Sequence, residues 1–303
     1  MLFFFIVNLL FFSCKKPDIT PAYLLLSVED FKDCIDVSNF EKDHEISYDK
    51  TEFFKVIKQH NFTDAHVSIN GQELGYWQLP CKIPLLPDYS GINIIRITPC
   101  VRLISTSLTT VQYRFLTPVE QSFEMEREKE YRLSNLKFEY VKSVDFPILE
   151  TFEQATIIFK SIDSLNGVPI TVDTVGEKGK VGKIVLDDSL KYFNIATSFF
   201  TLDGYGVRKF WEMDYRCDHG EATTYLDFRN TTSGFPHQDL IVLRATEGWK
   251  KIYIDITDVV DGMCGSALSV SVRLGIRGLP NIDAKNACFY FENIKIITMN
   301  AIY

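Results

Sequence analysis

A chain of 303 residues is long enough to bury two cores of ordinary size. With 46% hydrophobic and 24% charged residues, its composition excludes extended disorder. A formal charge of −8, with no long basic run, argues against nucleic acid as a partner, and the 24 Phe and 14 Tyr favour pleated surfaces over helices.

Residues Met1 to Phe12 read MLFFFIVNLLFF and stop at Ser13-Cys14-Lys15-Lys16. Twelve residues fall short of the roughly 20 that a membrane-spanning helix needs, and the length suits the apolar part of a secretion signal. The segment resembles a bacterial lipoprotein signal peptide. The resemblance implies cleavage after Ser13, lipidation of Cys14, and a mature chain held to the outer membrane through its acyl chains. Each buried CH₂ contributes about 0.8 kcal/mol to such an anchor. A tether over 14–21 follows, kept extended by Pro17 and Pro21. Six cysteines remain (34, 81, 100, 217, 264 and 288), and without any C-x-x-C they carry neither a zinc nor a redox signature. Cys81 and Cys100 flank a turn, where a disulfide and plain thiols are both open.

Ala22 to Val28 reads as a first strand, whereas Phe53 to Ile57 fits helix and strand equally. Ala65, Val67 and Ile69 alternate with polar neighbours up to Asn70-Gly71, the pair that a two-residue type I′ hairpin requires. A second hairpin is expected around Asp88-Tyr89-Ser90-Gly91, with Ile95 and Ile97 on one face. Val111, Tyr113 and Phe115 continue the pattern, closing a small sandwich over 22–117. The stretch VSINGQELGYWQLPCKIPLL and the later NIIRITPCVRL resemble the N-terminal module of Bacteroidetes lipoproteins and the PEGA-like, Ig-like surface modules. That resemblance implies a fold and an address, with no mechanism attached. The charged run Glu124 to Arg132 has no apolar stripe, and 118–149 is expected to be a connector.

From 150 to 303 the period of two persists. Trp211, Met213, Tyr215 and Cys217 alternate with Glu212, Asp214 and Arg216. Thr224, Leu226 and Phe228 repeat the device, as do Ile252, Ile254 and Ile256, and Leu268, Val270, Val272 and Leu274 with Arg273 between them. The expected fold is all-β, two β-sandwich domains, the second a jelly roll. Gly248-Trp249 and the strand after it, with the closing run Phe289 to Ile296, resemble galactose-binding-like, carbohydrate-binding jelly rolls. In those folds an Asp, sometimes a calcium ligand, stands where this chain has Glu292.

No catalytic constellation emerges. Asp214 to Glu221 gathers potential metal ligands, but alternation sends Asp214 and Cys217 to opposite faces. Asp255, Asp258 and Asp261 miss the spacing of a calcium loop, and 176–183 misses that of a phosphate loop and reads as a hairpin tip. The five histidines sit outside known catalytic contexts. No metal or cofactor is expected, and the chain is read as non-catalytic. The leading expectation is an envelope lipoprotein that binds another envelope protein as an accessory subunit. The alternative is a glycan-binding lipoprotein using aromatic residues of the jelly roll: Trp211, Trp249, Tyr205 and Tyr225, with Tyr215 beside them. Ser164, Thr174 and Ser189 lie in Asp-Ser/Thr-apolar triplets resembling the O-glycosylation signal of exported Bacteroidetes proteins.

Overall fold

The computed structural model describes residues 20–43, 46, 48–103, 109–133, 135–163, 167–204, 206–229, 237–265, 267–281 and 284–299. Cys14, Ser164 and Tyr205 lie outside the described residues, as does the leader segment. The all-β expectation holds, and the strands form two sandwiches.

In the N-terminal unit, Asp64–Ile69 and Gln72–Gln78 make the expected hairpin, with Asn70 at φ 50° and Gly71 at φ 78°. Asp64–Ile69 also pairs with Ile92–Arg102, which carries Thr110–Gln112 and Val119–Glu124 on its other edge. The second expected hairpin is different. Asp88 does cap a tight turn, its carboxylate accepting from the Ser90 amide, but Cys81–Leu85 crosses to the opposite sheet and pairs with Ala22–Leu26. Cys81 and Cys100 therefore belong to different sheets, and all six described cysteines are free thiols.

The connector is also corrected. Val119–Glu124 joins the five-stranded sheet, Glu130–Arg132 lies parallel to Ala22–Leu26, and Phe138–Glu139 pairs with Ile35–Asp36. Residues up to about 140 thus complete the first unit, and Val144–Glu150 already pairs with the last strand of the second. Short strands bounded by charged turns carry too few apolar residues for the period of two to reveal them. The ambiguous run around Phe53 is a helix, Lys50–Ile57, whose start is fixed by Asp49 accepting from the Glu52 amide at 3.0 Å. Phe53, Val56 and Ile57 are its buried face.

The C-terminal unit is a sandwich of two antiparallel sheets. An inner sheet contains Val144–Glu150, Thr171–Thr174, Lys180–Leu186, Lys209–Asp218, Lys250–Asp255 and Ala287–Met299. An outer sheet contains Lys160–Ser161, Phe193–Ala196, Phe200–Asp203, Gly220–Arg229, His237–Arg244 and Ser269–Pro280. Trp211, Met213, Leu226, Phe228, Leu274, Ile276, Phe289 and Ile296 fill the space between them.

The inner sheet is buried on both sides, because the N-terminal unit packs on its second face. Phe210, Tyr253 and Ile297 from that face belong to the N-terminal core, with the Phe210 ring 5.2 Å from Phe115 edge-on. Among these apolar contacts sits an ion pair, Lys295 Nζ 3.3 Å from Glu212 Oε2, each side chain 1% exposed. The Tyr113 hydroxyl donates to the other Glu212 oxygen at 2.6 Å, and Lys295 donates to the Val56 carbonyl in the last turn of the helix. Burial, offset only in part by Glu212, pushes the Lys295 ammonium down to about 8. Hydrogen-bonded charges tolerate few alternative registers, so this pair is expected to favour one docking of the two units.

His60 lies at the same junction, stacked on Phe62 with centroids 4.2 Å apart. Burial, reinforced by the Lys251 and Lys295 charges, pushes its imidazole down to about 4. In the unfolded chain the ring titrates near 6.5. Its contribution to stability is therefore complete above pH 6.5 and is lost as pH falls toward 4, where the folded protein must charge a buried ring. Allowing for partial exposure of the ring, the loss is roughly 2 kcal/mol. A His60→Gln variant should lose less stability over this interval in urea titrations at successive pH values, and parallel curves would contradict the assignment.

Candidate functional site on the outer sheet

With the inner sheet covered on both faces, the jelly roll presents, among the described residues, a broad open surface on the outward side of the outer sheet. Strand alternation dictates what stands there. Ala222, Leu226 and Phe228 turn inward with Val272, Leu274 and Ile276, leaving Tyr225, Asp227, Arg229, Arg273 and Arg277 to point outward. Cross-strand register then brings them together. Asp227 faces Arg273, Tyr225 faces Gly275, and His237 and Asp239 on the neighbouring strand face Asp227 and Tyr225.

The side chains form a connected lattice. Arg273 donates to Asp227 Oδ2 through Nε at 2.8 Å and through Nη2 at 2.7 Å. The two nitrogens of His237 face carboxylate oxygens of Asp227 at 2.7 Å and Asp239 at 3.0 Å. Arg277 donates to Asp239 at 2.6 Å and lies over the Tyr225 ring. Tyr225 fits only because position 275 is glycine, since a Cβ there would come within 2.0 Å of the ring. Its hydroxyl donates to Asn194 Oδ1 at 2.6 Å. The Arg273 and Arg277 guanidiniums are thereby held in fixed orientations while remaining partly exposed.

Beside this lattice is a cleft of about 490 Å³ lined by Ile158, Lys160, Ile162, Thr197, Phe199, Arg229 and Arg273, among others. The Arg229 guanidinium lies 3.8 Å from the Phe199 ring centroid and that of Arg273 5.0 Å. An aromatic ring, hydroxyl groups and planar donors thus line one open cleft.

The aromatic residues expected from the sequence are placed differently. Trp211 is 0% exposed between the two sheets and presents no face to a ligand. Tyr225 is on the correct side but 1% exposed, roofed by Arg277 and His237, so it supports the site without being a platform. Trp249 is half-buried on the opposite side of the sandwich, near Lys178, and Tyr215 is buried in the core. Thr174 ends an exposed strand and Ser189 sits in an exposed turn. Phe199, Arg229, Arg273, Arg277, Asp227, His237 and Asp239 were missed as a group. The outward positions follow from alternation within each strand, but their adjacency depends on register between strands distant in the chain.

The suspected metal-ligand runs resolve into ion pairs. Asp214 accepts from Lys178 at 3.2 Å and from Asn293 at 3.0 Å, Asp218 pairs with Arg216, and Glu292 lies 3.0 Å from Lys178. Asp261 receives the fully buried Lys209 ammonium at 2.9 Å. Among the described residues, no group of three or more His, Cys, Asp or Glu side chains is placed to hold a metal ion.

No protein-family profile matches the chain, and no curated protein sequence matches it significantly. Solved structures similar to it in outline include carbohydrate-binding modules. One is the CBM22-1–GH10 portion of Clostridium thermocellum xylanase 10B with xylohexaose, at 12% identity and TM-score 0.36, covering 50% of this chain and 28% of that one. The chain thus spans little more than a quarter of that xylanase portion's length. Another is the family 11 module of C. thermocellum with a β-1,3-1,4-linked tetrasaccharide, at 13% identity and TM-score 0.33, covering 51% of this chain and 95% of the module. A third is CBM27-1 of Caldicellulosiruptor saccharolyticus with mannohexaose, at 11% identity and TM-score 0.34, covering 49% and 94%. Likeness at this level carries no argument about a ligand.

Proposed function

We propose that this chain is a carbohydrate-binding protein that holds a saccharide on the outward side of the outer sheet. The observation that carries the reading is the half-buried Phe199 ring, with the Arg229 guanidinium stacked over it and that of Arg273 close by, inside an open cleft. A pyranose has an apolar face rimmed by hydroxyl groups. It is matched by the accessible part of the aromatic ring, the planar guanidinium stacked on it, and Arg273 as a pre-oriented donor that loses little entropy on binding. Asp227 supplies that orientation for Arg273, and His237 braces Asp227 in turn. This face favours the glycan reading over that of an accessory subunit in an outer-membrane assembly.

Affinity electrophoresis against neutral β-linked polysaccharides, followed by calorimetry with oligosaccharides, tests the proposal. Phe199→Ala and Arg273→Ala should each weaken binding at least tenfold, about 1.4 kcal/mol, with the thermal unfolding temperature of Phe199→Ala little changed. Retention of full affinity by both variants would overturn the site.

We further propose that the chain works at the outer membrane, anchored through a lipid on Cys14, as the Met1–Cys14 segment suggests. Radioactive fatty acid should label the wild type and not Cys14→Ala. Equal labelling of the two would remove the anchor.

A further inference from the structure

On the other side of the molecule, where the helix Lys50–Ile57 approaches the edge of the inner sheet, lies a cleft of about 660 Å³. Its charge is one-sided. Lys32, Lys55, Lys58, Lys178 and Lys251 line it with His60, against Asp33 and Asp214, in a chain whose net charge is −8. Several of these charges are already matched. Lys32 pairs with Glu29, Lys55 with Glu52, and Lys178 bridges Asp214 and Glu292.

Lys251 is matched only loosely, by an ion pair with Asp214 at 3.7 Å that is too long for a hydrogen bond. Its side chain is 6% exposed, and its ammonium group has no hydrogen-bond acceptor. The nearest carboxylate oxygen, Asp214 Oδ1, is 3.7 Å away, and the other Asp214 oxygen is taken by Lys178 and Asn293. A buried ammonium with three unfilled donors is costly, and the cost falls when an anion supplies the acceptors. Lys58, exposed at the end of the helix, makes no ion pair within 4 Å among the described residues, acts only at longer range on Asp36, and faces the same cleft. The half-buried Trp249 indole forms part of the wall, beneath the Lys178 ammonium at 5.3 Å.

We propose that this cleft is a second binding site, for a ligand carrying an oxyanion group such as a carboxylate or sulfate. The anion sits against Lys251 and Lys58, and the body of the ligand lies against Trp249. The site is built by both units of the chain and does not depend on the saccharide reading of the outer sheet. Because part of its charge is exposed, affinity falls as salt is raised.

The test uses the full chain and three titrants followed by tryptophan emission: inorganic sulfate, glucuronic acid, and glucose as the neutral counterpart. Trp77 and Trp211 lie outside the cleft, and a Trp249→Phe variant identifies the signal. Sulfate and glucuronic acid should give saturable changes that glucose does not. Both should weaken at least tenfold in Lys251→Met and in Lys58→Gln, the latter altering only an exposed side chain, so that folding is preserved. Glucuronic acid binding tenfold tighter than sulfate would place the anion on a saccharide, and comparable affinity would assign a free oxyanion. The proposal is overturned if neither anion saturates below about 50 mM. It is equally overturned if glucose gives the same response, or if Lys58→Gln binds as the wild type does.

Discussion

Lys295→Met is expected to destabilise the folded chain by about 3–5 kcal/mol, because it leaves the Glu212 carboxylate charged and buried between two apolar layers. The Tyr113 hydroxyl can satisfy one oxygen of Glu212 but cannot neutralise it. The double variant Lys295→Met/Glu212→Gln removes both charges and keeps an acceptor for Tyr113, so most of the loss should be recovered. Urea unfolding of the four members of the cycle measures this directly. Should the two losses simply add, the side chains do not interact, and the junction between the units is held by its apolar contacts alone. The sign of that result matters for function as well. A single fixed docking of the N-terminal unit keeps the inner sheet covered and leaves the outer sheet as the jelly roll's open face.

The second large effect concerns Trp211. Truncation to Ala should cost about 3–5 kcal/mol, since it empties a fully enclosed volume between the sheets. Its indole N–H is buried without a partner, so Trp211→Phe removes an unsatisfied donor along with some packing and should cost far less, about 1 kcal/mol. Under conditions where both variants remain folded, saccharide affinity should equal that of the wild type. A loss of binding in folded Trp211→Phe would return this residue to the ligand site.

How much of this was legible in the sequence depended on the range of the interactions involved. The Asn70-Gly71 turn and the inward faces at 211–217, 252–256 and 270–274 are local, and the period of two exposes them. The helix at Lys50–Ile57 carried a readable signal in Asp49-Lys50-Thr51-Glu52, where Asp49 takes the position of an N-cap with Glu three residues on. Glu212 and Asp214 alternated with apolar residues and so matched a solvent-facing side. They face the other unit instead, and nothing within their own strand marks the difference. Lys295 holds the matching charge 83 positions later, on a strand whose neighbours are decided by topology. The candidate site follows the same logic. Asp227 and Arg273 were each readable as outward positions, but their ion pair needed the register between Gly220–Arg229 and Ser269–Pro280. Aromatic residues drew attention by type, and type alone does not separate a core tryptophan from a platform.

The central claim is that a saccharide lies on the outward side of the outer sheet, and amide hydrogen exchange with and without a bound neutral oligosaccharide tests it most directly. Saturating ligand should slow exchange in residues 193–203, 220–229 and 269–280, and leave 50–61 and 250–255 unchanged. Protection confined to the latter segments, or no protection with any saccharide, would contradict the account.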